Sequence, residues 1–221
     1  MFRAEEYLDL TQFAFPELFD GCEHVWEALR RIGEVVRTHR KAGNLGTVVG
    51  TPFIAPDVQI GKGTVIEHGA VIKGPTIIGE NCEIRAGAYI RGNVIVGDGC
   101  VLGNACEFKN AVLFNGSQVP HFSYVGDSIL GHKAHLGAGV ILSNVKSTRG
   151  NVTVEGTDTG LRKFGAIIGD GAEIGCNCVL NPGSIIGRHS VLYPNLLWRG
   201  VCPADAIVKL RQRQEVLARR A

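Results

Sequence analysis

A six-residue repeat of apolar residues is the feature that most restricts how this chain can fold. From Ile54 to Phe114 every sixth residue is apolar, and most of these positions hold isoleucine. The repeat loses its phase after Phe114, returns at Leu130 and is lost again until Ile168. Self-similarity at a short fixed period is typical of a solenoid, in which each repeat stacks on its neighbours.

The other positions of the repeat indicate which solenoid forms. Glycine often follows the apolar residue, and a small side chain stands four positions after it. A triangular coil of three short strands needs a large residue on its axis, a small one near each corner and a flexible one at each bend. The pattern resembles the left-handed parallel β-helix, an all-β fold, and predicts about seven stacked coils at ~4.8 Å spacing over residues 54–200.

Composition excludes several classes of protein. The 23 Lys and Arg residues nearly balance the 21 Asp and Glu residues, which argues against a dedicated nucleic-acid binder. No apolar run reaches the ~18 residues of a membrane span, and the acidic N-terminus does not resemble a signal peptide. Seven cysteines without C-x-x-C spacing favour a reducing compartment, so we expect a cytoplasmic protein. Four of them occupy the small interior position of the repeat: Cys82, Cys100, Cys106 and Cys178.

The flanks of the repeat have helical rather than hexad periodicity. Apolar residues recur at helical spacing over 16–40 and again after Pro203. We therefore predict an N-terminal helical segment over 1–45, a β-helix domain over 46–200 and a C-terminal helix over 201–221. We expect both helical segments to cap the ends of the solenoid or to hold subunits together, because open coil ends expose strand edges.

The two interruptions of the repeat are the candidate functional regions. Residues 115–129 hold His121, Tyr124 and Asp127, where the pattern predicts buried aliphatic residues. Residues 145–165 insert a polar, basic loop. Loops held by a rigid scaffold are common places for binding and catalytic residues.

The interruptions contain motifs that core packing does not require. K-x11-H-x2-Y-x2-D begins at Lys109, and an L-G-A-G run at 136–139 leads to Asn144. Over residues 75–195 the sequence resembles the hexapeptide-repeat acetyltransferase half of bifunctional N-acetylglucosamine-1-phosphate uridylyltransferase and related sugar-1-phosphate nucleotidyltransferases. The resemblance implies an N-acetyltransferase that moves an acetyl group from acetyl-CoA to the amine of an amino-sugar 1-phosphate, such as glucosamine 1-phosphate, in nucleotide-sugar biosynthesis.

The resemblance also assigns roles to single residues. The family's catalytic base falls on His121, whose imidazole would take a proton from the sugar amine. The backbone N–H that stabilises the oxyanion falls on Ala138. Tyr124 and Asn144 correspond to sugar-contacting residues, and we group Asn144 with the catalytic set.

The remaining assignments concern the phosphate and the cofactor. Arg91 and Lys109 stand eighteen residues apart, one coil, and would grip a phosphate together. The other positions that the resemblance implies are His135 and Lys163 for the acceptor, and Ala138, Cys176, Tyr193 and Pro194 for acetyl-CoA. No metal is expected.

The sequence departs from the family at several of these positions. His135 replaces an asparagine, Cys176 replaces a serine, and Asn144 is followed by Val145-Lys146-Ser147 instead of Tyr-Asp-Gly. The residues ahead of the repeat contain no Gly-rich nucleotide loop. These departures leave the acceptor undetermined. We expect a homotrimer, because a second prism would supply the missing wall of a shallow site.

Two other functions stay open at this stage. The chain could be a non-catalytic trimeric scaffold, or a partner of a separate sugar-1-phosphate nucleotidyltransferase. It could also be a metal lyase related to γ-type carbonic anhydrases, with His121, His132 and His135 as the candidate ligands. In addition, His121 could be a structural corner histidine, Arg91 and Lys109 solvated surface charges, and Asn144 part of a turn.

Overall fold

The computed structural model describes residues 2–41, 43–211 and 213–219. The described residues contain two α-helices, α1 (Ala4–Tyr7) and α2 (Ile32–His39), and three 3-10 helices at Leu10–Gln12, Pro16–Phe19 and Val25–Arg30. The strands are β1 (Gly43–Asn44), β2 (Thr47–Val48), β3 (Phe53–Ile54), β4 (Val58–Ile60), β5 (Val65–Ile66), β6 (Val71–Ile72), β7 (Thr76–Ile78), β8 (Glu83–Ile84), β9 (Tyr89–Ile90), β10 (Val94–Val96), β11 (Val101–Asn104), β12 (Glu107–Leu113), β13 (Gln118–His121), β14 (Tyr124–Leu130), β15 (His135–Leu136), β16 (Ile141–Leu142), β17 (Thr153–Val154), β18 (Thr157–Asp158), β19 (Ala166–Ile168), β20 (Glu173–Ile174), β21 (Val179–Leu180), β22 (Ser184–Ile186), β23 (Val191–Leu192), β24 (Leu197–Trp198), β25 (Val201–Cys202) and β26 (Ile207–Val208).

These strands form a parallel β-solenoid with three faces, which confirms the predicted fold class. It has about nine turns rather than the predicted seven, because β1, β2, β25 and β26 extend it beyond residues 54–200. Face A comprises β1, β4, β7, β10, β19, β22 and β25; face B comprises β2, β5, β8, β11, β13, β15, β20, β23 and β26; face C comprises β3, β6, β9, β16, β21 and β24. The seven-residue strands β12 and β14 begin on face C and end on face A, so they run through the corner between the two faces. The only antiparallel pair within the described ranges is the β17–β18 hairpin of the 145–165 insertion.

The axis of the solenoid holds the aliphatic residues that the repeat predicts, with one correction. Val96 pairs with Leu113, and Leu113 pairs with Leu130, so Leu113 fills the axis. Phe114, which the six-residue count placed there, packs outside face A and stacks on Phe13 at 4.5 Å. The reason is that the repeat loses one residue at Asn110, which shifts its phase earlier than the sequence suggested.

The glycines that follow the axial residues serve close stacking rather than the bend itself. A Cβ on Gly61 would lie 2.6 Å from the backbone of Gly79 in the next coil, so a side chain does not fit. The left-handed residue of the bend comes two positions later, as at Gly63 (φ +76°). The four interior cysteines named above are buried and free, as predicted.

The N-terminal segment lies along face A, which corrects the expectation that it caps an end of the solenoid. Its residues Leu18, Trp26 and Ile32 belong to one buried cluster with the outward-facing residues of face A. The aliphatic column that they cover is Ile77, Ile95, Val112, Ile129, Ile167 and Ile185. An exposed apolar column of this length needs a cover, and the N-terminal segment supplies it.

The insertion also packs on this side of the molecule. Val152, Leu161 and Phe164 are buried in the same cluster, and the rings of Phe164 and Trp26 lie 6.1 Å apart. Arg30 donates a hydrogen bond to the carbonyl of Thr159 at 3.4 Å. The insertion is therefore anchored at its base by apolar contacts.

The predicted C-terminal helix is wrong for the described residues. Ile207 and Val208 form strand β26 and pair with Val191 and Leu192 of the preceding coil. Continuing the solenoid satisfies the backbone groups of β23, which a helix at this point would leave unpaired. Residues 209–211 and 213–219 form neither helix nor strand. Over the whole described part of the chain, no helix has the length and apolar character required to cross a membrane.

Candidate active site

The corner between faces C and A is one residue shorter in the coils of β12 and β14 than in the preceding coil of β9 and β10. Phe108 lies eighteen residues after its partner Ile90, whereas Ala111 lies seventeen residues after Val94. The missing residue makes the chain turn sharply at Asn110 and again at Asp127, and each adopts a left-handed φ of 48°. Asparagine and aspartate tolerate this conformation better than most residues.

The carboxylate of Asp127 organises this corner. It accepts hydrogen bonds from Lys109 Nζ at 2.8 and 3.1 Å, from Asn110 Nδ2 at 3.0 Å and from Asn144 Nδ2 at 2.6 Å. The residue is only 4% exposed. Because the donors come from the coil before Asp127 and from the coil after it, Asp127 fixes the positions of two predicted site residues, Lys109 and Asn144.

Tyr124 lies on face C next to this corner. Its hydroxyl accepts a hydrogen bond from Asn144 Nδ2 at 3.2 Å. Burial is the main cause that raises the pKa of the Tyr124 phenol, so the group stays protonated and able to donate a hydrogen bond. The structure thus brings Lys109, Tyr124 and Asn144 together, as the motif suggests.

Arg91 and Lys109 stack on neighbouring coils, as their spacing predicts. The N–H of Arg91 donates to the carbonyl of Phe108, which places the two side chains side by side. Each cation already has a carboxylate partner: Arg91 contacts Glu107 at 2.8 Å and Lys109 contacts Asp127. The pair therefore contributes little net positive charge.

His121 lies at the opposite edge of face C, at the corner with face B. Its imidazole is exposed, and no hydrogen bond to the ring exists among the residues that the structure describes. Its backbone carbonyl accepts from the N–H of Gly139 at 3.0 Å and from the hydroxyl of Ser123 at 3.0 Å. The described contacts therefore give the imidazole no structural role at this corner and leave its ring nitrogens open to a ligand.

The same corner aligns His121 with the predicted cofactor residues. Successive backbone hydrogen bonds connect it upward: Gly139 N to the His121 carbonyl, Asn177 N to the Ala138 carbonyl, and Asn195 N to the Cys176 carbonyl. We name this stack of aligned residues the corner column. It contains Asn104, His121, Ala138, Cys176 and Pro194, and Ala86 lies one coil before Asn104.

The corner column presents backbone donors to solvent. Within the described ranges the N–H of Ala138 has no hydrogen-bond partner. Lower in the column, the N–H of Ala86 donates to the Glu67 carboxylate at 2.8 Å. The backbone N–H at this position of the column can therefore donate to a negatively charged oxygen, as an oxyanion hole requires.

A groove of about 320 Å³ runs along face B beside the corner column. Cys176, Tyr193 and Pro194 line it, as does His135, whose Nδ1 lies 2.7 Å from Glu173 Oε2. His135 is thus placed among the predicted cofactor residues and not beside the acceptor residues Tyr124 and Asn144. The ammonium of Lys209 lies 4.7 Å from the centre of the Tyr193 ring at one end of the groove.

Lys163 lines a second cavity, of about 360 Å³, with Val145, Arg149 and Arg162 of the insertion. The cavity adjoins the corner of faces C and A, because Phe164 N donates to the Asn144 carbonyl at 3.0 Å. Sequence reasoning did not single out Arg149 or Arg162. It also missed Asn110, although Asn110 and Asp127 share the seventeen-residue spacing of the corner.

The candidate metal ligands are not assembled. No cluster of three His, Cys, Asp or Glu residues suited to a metal ion occurs in the part of the chain that the structure describes. His132 Nδ1 lies 2.7 Å from the Asn115 carbonyl, and His135 is paired with Glu173. The lyase alternative gains no support from this geometry.

Comparison with known proteins bears directly on these residues. The family described as the GMPPB C-terminal domain matches residues 72–164. The chain is 37% identical over 97 residues to the bifunctional sugar-1-phosphate nucleotidylyltransferase/acetyltransferase of Sulfurisphaera tokodaii, covering 42% of this chain and 24% of that protein. It is 34% identical over 197 residues to the bifunctional protein GlmU of Staphylococcus saprophyticus, covering 74% and 41%. The predicted resemblance is confirmed.

The matches are partial in length. The chain spans about a quarter to two fifths of the curated relatives that it matches, 24% and 41% in the two cases above. Among solved structures, an Arabidopsis UDP-N-acetylglucosamine acyltransferase aligns at 13% identity and a TM-score of 0.33, over 76% of this chain and 58% of that one.

Proposed function

We propose that this protein is a CoA-dependent N-acetyltransferase that acetylates the amine of an amino-sugar 1-phosphate. The observation that carries the proposal is the corner column, in which residue His121 lies directly below residue Ala138 at the edge of face C. Among the described residues, neither the His121 imidazole nor the Ala138 N–H has a hydrogen-bond partner. A general base and an oxyanion donor are the two groups that acyl transfer to an amine requires. The similarity to bifunctional acetyltransferases of sugar metabolism agrees with this chemistry.

The proposed reaction proceeds by direct attack. The sugar amine attacks the thioester carbonyl of acetyl-CoA while His121 takes a proton from the amine. The N–H of Ala138 donates to the oxyanion of the tetrahedral intermediate. The C–S bond then breaks, the sulfur of CoA leaves with the proton, and the amide remains on the sugar.

Face C would hold the acceptor. Tyr124 and Asn144 offer a hydroxyl and an amide beside the corner, where they contact the sugar. Arg91 and Lys109 bind the phosphate: two Lys109 contacts go to Asp127, which leaves a third ammonium hydrogen, and Arg91 uses Nη1 alone on Glu107. The buried Asp127 keeps Lys109 and Asn144 in place for this contact.

Acetyl-CoA would lie along the corner column and the groove on face B. Cys176, Tyr193 and Pro194 line that groove with His135, so His135 is assigned to the cofactor end of the site. Lys209, next to Tyr193, supplies a cation for a CoA phosphate. Both substrates then meet at His121.

The working unit is proposed to be a homotrimer. His121 and Phe122 are exposed at the corner, and Leu197 on face C is 72% exposed. A second copy packed against this corner would exclude water from the shallow site, and closed threefold symmetry would give all three sites the same wall.

The test is acceptor-dependent release of CoA thiol. Purified protein is mixed with acetyl-CoA and glucosamine 1-phosphate, thiol is followed with a chromogenic disulfide, and the product mass is measured. The proposal predicts stoichiometric thiol and an acetylated sugar phosphate. If the protein bound acetyl-CoA but released no thiol with any amino-sugar phosphate, the proposed function would be contradicted. A non-catalytic scaffold, or a partner of a separate nucleotidyltransferase, would then be favoured.

A further inference from the structure

We propose that the basic cavity of the insertion binds a second phosphate of the acceptor, so that the amino-sugar 1-phosphate on face C is bound best as part of a nucleoside diphosphate sugar. The inference rests on the proposed function and deepens it by naming the acceptor class. The observation behind it is three cations around one cavity, Arg149, Arg162 and Lys163, beside the corner that holds Asn144.

These three cations differ from the pair on face C in their partners. Arg149, Arg162 and Lys163 are all exposed, and none has a carboxylate within 4 Å in the described residues. By contrast, Arg91 and Lys109 are each paired with a carboxylate. The uncompensated positive charge of this region is therefore in the insertion, and it attracts a further anionic group.

The Asp158 carboxylate of the insertion binds groups of its own hairpin. Asp158 accepts hydrogen bonds from the N–H of Gly160 at 2.8 Å and from Asn151 Nδ2 at 3.2 Å. Its pKa is lowered, mainly by the hydrogen bond from the Gly160 backbone. It forms no ion pair within 4 Å with Arg149, Arg162 or Lys163 among the described residues.

The cavity is held next to the acceptor site by the backbone. Lys163 immediately precedes Phe164, whose N–H donates to the Asn144 carbonyl, while the Asn144 side chain donates to Asp127 and Tyr124. On the other side of the cavity, Lys146 Nζ donates to the Asn151 carbonyl at 2.9 Å and closes the loop that carries Arg149. The buried Phe164 anchors the whole arrangement.

The chemistry of the three side chains fits a diphosphate. Arginine presents a planar fork that binds phosphate oxygens in pairs, and each phosphate of a nucleoside diphosphate sugar carries a negative charge that such a fork can bind. The cavity volume, about 360 Å³, also leaves room for part of a nucleoside beside Val145. A sugar monophosphate bound by Arg91, Lys109 and Lys163 would leave Arg149 and Arg162 unused.

Two measurements test the inference. The first is the affinity for UDP in the absence of acetyl-CoA, by calorimetry. We expect UDP to bind, and Arg149→Gln and Arg162→Gln each to weaken binding on the order of tenfold. Arg213→Gln, which removes an exposed arginine of the C-terminal segment, is the matched control and should leave the affinity unchanged.

The second measurement is kcat/KM for UDP-linked glucosamine relative to glucosamine 1-phosphate. We expect the wild-type ratio to exceed one, and each cavity variant to lower it on the order of tenfold. UDP affinity that is absent, or unchanged in both variants, would overturn the inference. Arginine-dependent UDP binding without any acetyl transfer would support the phosphate site while contradicting the proposed function, so the two failures are distinguishable.

Discussion

Faces A and C are built by the same coils, and partly by the same strands, yet they present opposite chemistry. On face A the outward positions are aliphatic, and Ile95 and Ile129 are completely buried beneath the N-terminal segment. On face C the strands β12 and β14 present Glu107 and Tyr124, which are half-buried. The difference shows that the axis of a solenoid fixes its fold, while the outward residues decide which face is covered and which is left for a ligand.

Asn110 connects the two faces. Its side-chain nitrogen donates both to the carbonyl of Leu29, in the N-terminal segment, and to the carboxylate of Asp127. The cover of face A is thus in direct hydrogen-bond contact with the group that holds Lys109 and Asn144. Substitutions on the two faces and at this junction can separate stability from activity.

The largest effect is expected at Asp127. Asp127→Ala removes the acceptor of four hydrogen bonds and leaves the half-buried Lys109 without its partner. We expect the free energy of unfolding to fall by about 3 kcal/mol and acetyl transfer to be lost. Denaturant unfolding measures the first and thiol release the second. Unchanged stability would contradict the organising role of Asp127.

Face A should respond in stability alone. Ile95→Ala removes a completely buried side chain and should cost about 3 kcal/mol, with kcat/KM of the folded protein unchanged. The matched change on face C is Val179→Ala, at a half-buried position, which should cost under about 1 kcal/mol. Equal losses in denaturant unfolding would mean that the N-terminal segment does not cover face A.

The junction residue should show a smaller, mixed effect. Asn110→Gly keeps the left-handed turn (φ 48°) but removes both side-chain hydrogen bonds. We expect a loss of about 1 kcal/mol in stability and a several-fold rise in KM for the acceptor with little change in kcat. Asn110→Asp, which keeps the turn but opposes Asp127 with a second carboxylate, should be worse in both measurements. If Asn110→Gly matched wild type, the two faces would not be coupled.

The smallest effect concerns pH. Burial, the largest cause, raises the pKa of Asp170, which anchors the N-terminal segment by accepting from the N–H of Asp9 at 2.6 Å and of His132 at 2.7 Å. The folded state then binds more protons than the unfolded one, so the unfolding free energy falls as pH rises from the ordinary Asp pKa through the raised value. Asp170→Asn should flatten this fall. If the unfolding free energy of Asp170→Asn depended on pH as that of wild type does, the raised pKa of Asp170 would be contradicted.

The sequence predicted the parts of the molecule that follow from one local rule. The axial residues and the interior cysteines follow the six-residue period, so the sequence alone predicts the positions of both. The cover on face A was missed because its column, such as Ile77 and Ile95, repeats once per coil and is invisible at a period of six. Phe114 was misplaced because a single deleted residue at Asn110 shifts the phase.

The candidate active site also has a part that the sequence predicts and a part that only the stacking of the coils reveals. The motif predicted the proximity of Lys109, Tyr124 and Asn144, which the structure brings together. The central position of Asp127 could not be predicted, because its donors come from separate coils and meet only when the coils stack. The C-terminal helix was predicted from apolar spacing alone, which does not distinguish a helix from one more short coil.

The central claim is that His121 is the general base of acetyl transfer. The direct test is the rate of thiol release by His121→Asn at saturating acetyl-CoA and glucosamine 1-phosphate, with His189→Asn as the control at another exposed histidine. The account predicts a kcat lower by about 10²- to 10⁴-fold for His121→Asn, with unchanged affinity for acetyl-CoA, and a normal kcat for the control. Equal rates for His121→Asn and wild type would contradict it.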